Sequence, residues 1–156
     1  MTNPKKQFHP GNEPARNPAR LLICDDQQLV RSRLREILKD VSTIRVIGEA
    51  ADGRAAVRMA LELKPDLILM DVSMPELNGI EATRQIVSDM PRIAVLGYSA
   101  DCGERTVQDM LAAGARGFLN KTGHPAELIT ALAALLAGEH FVRVQPNNGA
   151  LWPRRD

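Results

Sequence analysis

The sequence predicts an α/β protein built on a five-stranded parallel sheet with helices on both faces. Three observations lead to this prediction. Short apolar runs alternate five times with stretches whose apolar residues have helical spacing. One run, residues 67–70, is continuously apolar, as expected for a central strand that is buried on both faces. Several runs end in polar residues, and open sheets of this class carry their sites at the carboxyl ends of strands.

The composition is that of one globular domain. The chain has 156 residues, of which 44% are hydrophobic and 25% charged, so a sizeable core is possible. A net charge of +1 gives no electrostatic case for binding nucleic acid or a membrane surface. The sequence contains no secretory signal and no bilayer-spanning apolar run, so a cytoplasmic protein is expected. Cys24 and Cys102 lack metal-ligand spacing, and Cys24 is expected in the core rather than in a disulfide.

The first half of the chain predicts two strands, each followed by a helix. Residues 20–24 form the first strand, and residues 27–40 carry apolar side chains at helical spacing. Residues 44–50 form the second strand, and residues 56–63 mark the apolar face of the second helix. That helix is expected to begin after Asp52, because an aspartate is a good N-cap.

The second half continues the alternation after the central strand. Its predicted elements are a helix, a strand, a short helix, a strand and a last helix, at residues 80–89, 93–96, 104–113, 117–119 and 125–138. Pro91, Gly114 and Gly138 are expected to end the three helices, and Pro125 suits the first turn of the last one. Five such strands favour the flavodoxin-like order 2-1-3-4-5, whose switch point lies between the first and third strands.

The two ends of the chain differ from the predicted domain, which covers residues 20–142. Residues 1–19 contain four prolines and little that could pack, and they are expected to be a disordered leader. Residues 143–156 are rich in Pro, Asn, Gly and Arg, and they are expected to be a disordered tail or a truncated linker.

Three carboxylates follow the two strands that flank the switch point. Asp25 and Asp26 come directly after the first strand, and Asp71 comes directly after the third. Carboxylates that meet in this way repel one another unless a cation joins them. Oxygen ligands in an open, wet site suit Mg²⁺. Because a carboxylate is also able to attack phosphorus, Asp71 is predicted to accept a phosphoryl group.

Two further strand ends supply the other groups that phosphoryl transfer needs, which are mainly groups that position and neutralise charge. Lys121 follows the fifth strand and supplies a fixed cation, and Ser99 follows the fourth and supplies a hydroxyl, with the backbone N–H of Ala100 beside it. Each residue alone also has a purely structural explanation, as a turn, a helix cap, a surface lysine or a loop residue. Their joint placement at strand ends favours a functional site.

At these residues the chain resembles the receiver domain of bacterial two-component response regulators, over residues 20–142. The matching motifs are Asp25-Asp26, Asp71 with Met74-Pro75 and Asn78-Gly79, Ser99-Ala100, and Gly117-Phe118-Leu119-Asn120-Lys121. The resemblance implies that Asp71 is phosphorylated by the phosphohistidine of a sensor histidine kinase. It also implies Mg²⁺ held by Asp26, Asp71 and the backbone carbonyl of Ser73, with Asp25 acting largely through water.

The resemblance further implies how the signal spreads. Lys121 would pair with the phosphoryl oxygens, and Ser99 would turn inward to hydrogen-bond one of them. Phe118 stands at the aromatic position whose rotamer follows that hydroxyl, although taken alone it favours a half-buried core residue over a switch. The change would reach the surface of the fourth helix, fifth strand and fifth helix. The resemblance implies that a homodimer could form on phosphorylation through this surface or through the first and fifth helices. Thr122 departs from the common pattern, since many receivers have a cis-proline there.

The last helix and residues 139–142 are similar to the end of receivers that precede a LuxR-type helix-turn-helix domain. Too few residues follow for such a module. The chain is therefore expected to be a truncated receiver of a transcription factor, or a separate receiver that acts by protein contacts or in a phosphorelay. In both cases no direct nucleic-acid binding by this chain is expected.

Two other hypotheses stay open. A phosphatase of the haloacid-dehalogenase type would need an acid where Ser73 stands and a substrate-covering cap that no insertion provides. An adaptor that has lost phosphorylation would not need the complete set of acids, hydroxyl and lysine. The histidines show no ligand spacing, and the chain lacks a glycine-rich dinucleotide motif and a P-loop. The protein is expected to promote only its own phosphorylation and dephosphorylation.

Overall fold

The structure, a computed structural model, describes residues 17–144. A single sheet of six parallel strands has the order β2-β1-β3-β4-β5-β6. The strands are β1 Ala19–Cys24, β2 Ile44–Ala50, β3 Leu67–Met70, β4 Ala94–Ser99, β5 Gly117–Asn120 and β6 Phe141–Arg143. The helices are α1 Gln28–Leu38, α2 Gly53–Leu63, α3 Gly79–Asp89, α4 Glu104–Ala112 and α5 Pro125–Leu136.

The predicted α/β class and the order of the first five strands are confirmed, and a sixth strand must be added. β6 pairs with β5, with Phe118 opposite Val142. Three residues are too few to show the two-residue period of a strand, so β6 carries no recognisable pattern. β1 and β6 include Ala19 and Arg143, which the sequence assigned to the leader and tail. Most of the leader and tail lies outside the described residues.

The core forms two layers, one on each face of the sheet. Side chains of the buried strands alternate between these layers, as the two-residue period of a strand requires. One layer packs the sheet against α2, α3 and α4, and its members include Leu22, Cys24, Ile68, Ala60, Ile86 and Met110. The other packs it against α1 and α5, and its members include Leu21, Ile23, Leu67, Leu34, Leu128 and Leu132. The sheet is therefore covered on both sides and opens to solvent mainly at strand ends.

Two side-chain predictions have different outcomes. Cys24 is buried in the core and both cysteines are free, so the core assignment is confirmed. The apolar spacing of the last helix also predicts an inward-facing Leu136, but this side chain is 42% exposed. Leu128, Leu132 and Leu135 already form the buried stripe, and Leu136 lies one residue round the helix from it.

The helix ends follow the predicted chemistry. Asp52 caps α2 by accepting a hydrogen bond from the Ala55 N–H at 2.8 Å. Asn78 caps α3 by accepting a hydrogen bond from the Glu81 N–H at 2.9 Å. Gly114 follows α4 with a φ of 115°, a conformation that favours glycine. Within residues 17–144, none of the helices combines the length and apolarity that a bilayer crossing requires.

Candidate functional site

The first and third strands bring their acids together. The Asp71 N–H donates to the Cys24 carbonyl at 2.9 Å, which extends the β1–β3 ladder to the last residue before Asp25. Asp25 and Asp71 are 1% and 4% exposed, whereas Asp26 is exposed to solvent. One carboxylate oxygen from each of the three residues lies within 4.8 Å of the others. The structure therefore gathers the three predicted carboxylates at one sheet edge.

Lys121 reaches into this cluster from the end of β5. Its Nζ lies 2.6 Å from Asp25 Oδ2 and 3.2 Å from Asp71 Oδ2. The backbone of Lys121 is fixed because its N–H donates to the Ser99 carbonyl at 3.0 Å. The Tyr98 ring, whose centroid is 5.9 Å from the ammonium, lies beneath it. One ammonium thus bridges two buried carboxylates, and the cluster keeps an excess of negative charge.

That excess, and the donor set, fit a hard divalent cation. All three side chains offer oxygen, and the exposed Asp26 leaves room for water ligands, which Mg²⁺ retains. Asp25 Oδ2 is buried, and within residues 17–144 its partner is the Lys121 ammonium at 2.6 Å. The Ser73 N–H donates to Asp71 Oδ1 at 3.3 Å, which places the Ser73 backbone beside the cluster.

The hydroxyl of Ser99 lies at the same sheet edge but is bound to its own loop. Ser99 is 2% exposed, and its Oγ accepts a hydrogen bond from the Asp101 N–H at 3.1 Å. Across the described part of the chain, no hydrogen bond joins this hydroxyl to Asp71 or Lys121. Ala100, between Ser99 and Asp101, is exposed.

Phe118 lies in the core rather than at the cluster. It is fully buried in β5, opposite Gly97 of β4, in the layer covered by α4. A Cβ on Gly97 would lie only 2.8 Å from the Phe118 ring. The Phe118 ring therefore fills the space that the absence of a side chain at Gly97 leaves. Strands β4 and β5 connect the ring to the acid cluster.

Sequence reasoning missed two groups that fix Asp25. The Gln27 N–H donates to Asp25 Oδ1 at 2.8 Å, and Arg31 Nη1 donates to the Asp25 carbonyl at 2.6 Å. Arg31 is itself paired with Glu49 of β2 at 3.2 Å. In the sequence, Arg31 looks like any charged residue on the solvated face of an amphipathic helix. The Asp25-Asp26 pair is the one signal there for a structured turn.

Burial and charge set the protonation of the pair. Burial raises the pKa of Asp71 to about 6, the Lys121 charge opposes this shift, and the Asp25 charge adds to it. Burial lowers the pKa of Lys121, but its bonds to Asp25 and Asp71 outweigh burial, and the net shift of its pKa is upward. Near neutral pH the ammonium is therefore charged, and Asp71 is ionised at a cost in stability.

This cost predicts a pH dependence that Asp71→Asn should remove. The folded pKa of Asp71, about 6, lies above its ordinary value of 3.8, so the folded state binds the proton more tightly than the unfolded state. Stability should therefore fall as pH rises through this window. Without divalent ions, the unfolding free energy of Asp71→Asn relative to that of the parent should rise by about 1–2 kcal/mol as the pH is raised from 4 to 7. Urea unfolding across this pH range measures the gain, and a constant difference would contradict the prediction.

The loop after Asp71 is held by a close backbone approach. The Gly79 N–H, at the start of α3, donates to the Val72 carbonyl at 2.8 Å. A Cβ on Gly79 would lie 1.9 Å from the Asp71 carbonyl oxygen. The absence of a side chain at position 79 therefore lets α3 begin directly against the end of β3.

Comparison with known proteins agrees with this arrangement. The family model described as "Response regulator receiver domain" matches residues 21–133. The chain is 36% identical over 126 residues to the response regulator GacA of Pseudomonas viridiflava, covering 81% of this chain and 59% of GacA. It is 43% identical over 122 residues to the transcriptional regulatory protein LiaR of Bacillus subtilis, covering 77% of this chain and 57% of LiaR.

A solved structure shows the same fold. A two-component response regulator of the LuxR family from Aurantimonas sp. superposes with a TM-score of 0.77 and 35% identity, covering 80% of this chain and 89% of that one. The chain spans somewhat more than half the length of the curated relatives that it matches.

Proposed function

This chain belongs to the response regulator receiver domain family, and we propose that it is a phosphorylation-controlled switch whose Asp71 accepts a phosphoryl group from the phosphohistidine of a sensor histidine kinase. Receivers are signalling domains rather than conventional enzymes, and this one would promote only its own phosphorylation and dephosphorylation. The observation that carries the proposal is the placement of Asp71: a buried carboxylate at a strand end, 3.2 Å from the Lys121 ammonium and within reach of two more acids.

The transfer step follows from the contacts of the two Asp71 oxygens. One carboxylate oxygen of Asp71 attacks phosphorus, the bond from phosphorus to the imidazole nitrogen of the kinase breaks, and that nitrogen keeps the electron pair. Oδ2 faces Lys121 and Oδ1 faces the Ser73 N–H. Asp25, Asp26, Asp71 and the Ser73 carbonyl would hold Mg²⁺, which supplies charge neutralisation for the phosphoryl oxygens.

The switch would involve Ser99, whose hydroxyl is bonded to its own loop, together with Lys121, which already contacts the acids. We propose that Ser99 Oγ leaves the Asp101 N–H and donates to a phosphoryl oxygen, with the Ala100 N–H beside it. Lys121 would pair with another of the oxygens. Because Phe118 packs against β4 beneath Ser99, a shift of this strand end would change the packing of the ring and of α4.

The output is proposed from the relatives. Regulators of the LuxR family are among the matches, so control of transcription through a DNA-binding domain is the output we propose. Homodimerisation on phosphorylation and a cytoplasmic location belong to the same proposal. A separate receiver that acts through protein contacts or in a phosphorelay is the alternative.

Chemical mapping of the acceptor tests the proposal. The protein is incubated with acetyl phosphate and Mg²⁺, and its intact mass is expected to rise by one phosphoryl group. Borohydride reduction, which converts an acyl phosphate to an alcohol, should then mark Asp71 in the digested protein. Labelling at another residue, or no labelling by a protein that binds Mg²⁺, would contradict the proposal.

Mg²⁺ binding should be visible as stabilisation. At ten times the dissociation constant, Mg²⁺ should add about 1.4 kcal/mol and raise the melting temperature by about 3–6 °C. Asp26→Asn should remove most of this gain, since Asp26 is the exposed oxygen donor of the cluster. Asp89→Asn, which changes an exposed acid at the end of α3, is the matched control and should keep it. Equal gains in both variants would argue against the site.

A further inference from the structure

Strand β6 pairs with β5, the strand that Lys121 directly follows. Phe141 and Val142 pair with Gly117 and Phe118 of β5. Val142 packs against the core layer that contains Phe118, whereas Phe141 packs against the opposite layer. The last described strand is therefore integrated into the sheet immediately beside the candidate site.

The side chain of Asn120 links this strand to the loop of Lys121. Its Nδ2 donates to the Val144 carbonyl at 3.0 Å. Its Oδ1 accepts hydrogen bonds from the Thr122 N–H at 2.9 Å and the Thr122 hydroxyl at 2.8 Å. The side chain therefore spans Lys121 on one side and holds the end of β6 on the other. The backbone of Asn120 is opposite Ser99 in the β4–β5 register.

We propose that Asn120 is a positioning residue for Lys121 and that it couples the occupancy of the site to strand β6. The inference rests on the proposed function, because it needs a phosphoryl group on Asp71. The Lys121 ammonium is held by Asp25 and Asp71, and new phosphoryl oxygens redistribute its contacts. Because the Lys121 N–H is bonded to the Ser99 carbonyl, a shift of that strand end moves the backbone of Lys121 and with it Thr122, which is bound to one end of the planar Asn120 amide. The other end of that amide then changes its hold on Val144.

Thermodynamic linkage makes the coupling reciprocal. If loading of the site changes how firmly β6 is held, release of β6 must change the affinity of the site by the same factor. Asn120 is then a residue through which the segment that follows β6 regulates phosphorylation, and through which phosphorylation reaches that segment.

A second attachment of β6 provides the control. Arg143 Nη1 lies 3.3 Å from Glu127 Oε1 of α5, and the Arg143 guanidinium lies 5.2 Å from the Phe141 ring. Glu127→Gln should weaken this attachment without altering any contact of Asn120. A general loosening of β6 is thereby separated from a loss of coupling.

Hydrogen exchange with and without a phosphoryl mimic tests the inference. Amides of residues 141–144 are followed in the full chain with Mg²⁺ alone and with Mg²⁺ plus beryllofluoride. In the parent, loading should change their exchange at least about fivefold. Asn120→Ala should reduce this response to under about twofold and shift the beryllofluoride affinity by the lost factor. Glu127→Gln should exchange faster in both states yet keep the response.

These outcomes distinguish a failure of the coupling through Asn120 from a failure of the proposed function. If beryllofluoride changes the amides around Asp71 but leaves residues 141–144 unaltered, or if Asn120→Ala responds like the parent, the inference is overturned and the proposed function stands. If beryllofluoride changes no amide around Asp71, the proposed function fails and the inference fails with it. Asn120→Asp keeps the acceptor for Thr122 and loses the donor to Val144, so it should also lose the response if the alanine variant does not fold.

Discussion

Asp71→Asn is expected to reduce phosphoryl uptake from acetyl phosphate to background. The amide has nearly the same shape as the carboxylate, so the surrounding strand and loop are preserved, but its oxygen carries no negative charge to attack phosphorus. The measurement is the labelled fraction by intact mass, with Mg²⁺ present and the donor in excess. The same variant should be at least as stable as the parent at neutral pH, because it removes a buried ionised group whose pKa burial has raised.

The stability measurement distinguishes loss of the phosphoryl-accepting group from unfolding of the variant. A variant that loses labelling because it has unfolded would also lose its cooperative transition in urea. Asp89→Asn, at an exposed position on α3, should label like the parent. Equal labelling of parent and Asp71→Asn would show that Asp71 is not the acceptor.

Gly79→Ala should destabilise the fold by about 3 kcal/mol or more. The added methyl carbon would lie 1.9 Å from the Asp71 carbonyl oxygen and 2.8 Å from its carbon. These are backbone atoms of Asp71, so no side-chain rotation relieves the clash. Either α3 moves away from the strand and loses the bond from Gly79 to Val72, or the end of β3 shifts.

A second glycine gives the control for this substitution. A Cβ on Gly103, before α4, would approach only the Asp101 side chain, at 3.3 Å. Gly103→Ala should therefore cost about 1 kcal/mol or less, mainly through the poorer N-cap. Urea unfolding measures the unfolding free energy of both variants. A Gly79→Ala value within about 1 kcal/mol of the parent's would contradict the predicted clash.

The sheet order and the meeting of the acids followed from the sequence because both depend on local patterns. Continuous apolar runs mark buried parallel strands, and the switch point between β1 and β3 brings their carboxyl ends together wherever that order occurs. Asp25 and Asp71 needed no further information to be placed side by side. Helix ends were predicted nearly as well, because residues such as Asp52 act on the backbone within a few positions.

Hydrogen bonds from a side chain to the backbone of another segment could not be predicted from such local patterns. The bond from Asn120 to Val144 and the bond from Arg31 to Asp25 join segments whose sequence carries no shared period. β6 is too short to show alternation, so the strand that Asn120 holds was itself missing. The hydroxyl of Ser99 was placed at the correct edge, but its bond to the adjacent loop depends on a rotamer that residue type does not determine.

The bridge from Lys121 to both buried carboxylates also holds two like charges close together in the folded protein. The ammonium is the counter-charge that offsets their mutual repulsion. An incoming anionic group then finds an oriented cation and little solvent to rearrange, which is the electrostatic preorganisation that lowers barriers in polar pockets. The price is a resting protein less stable than its core alone would allow.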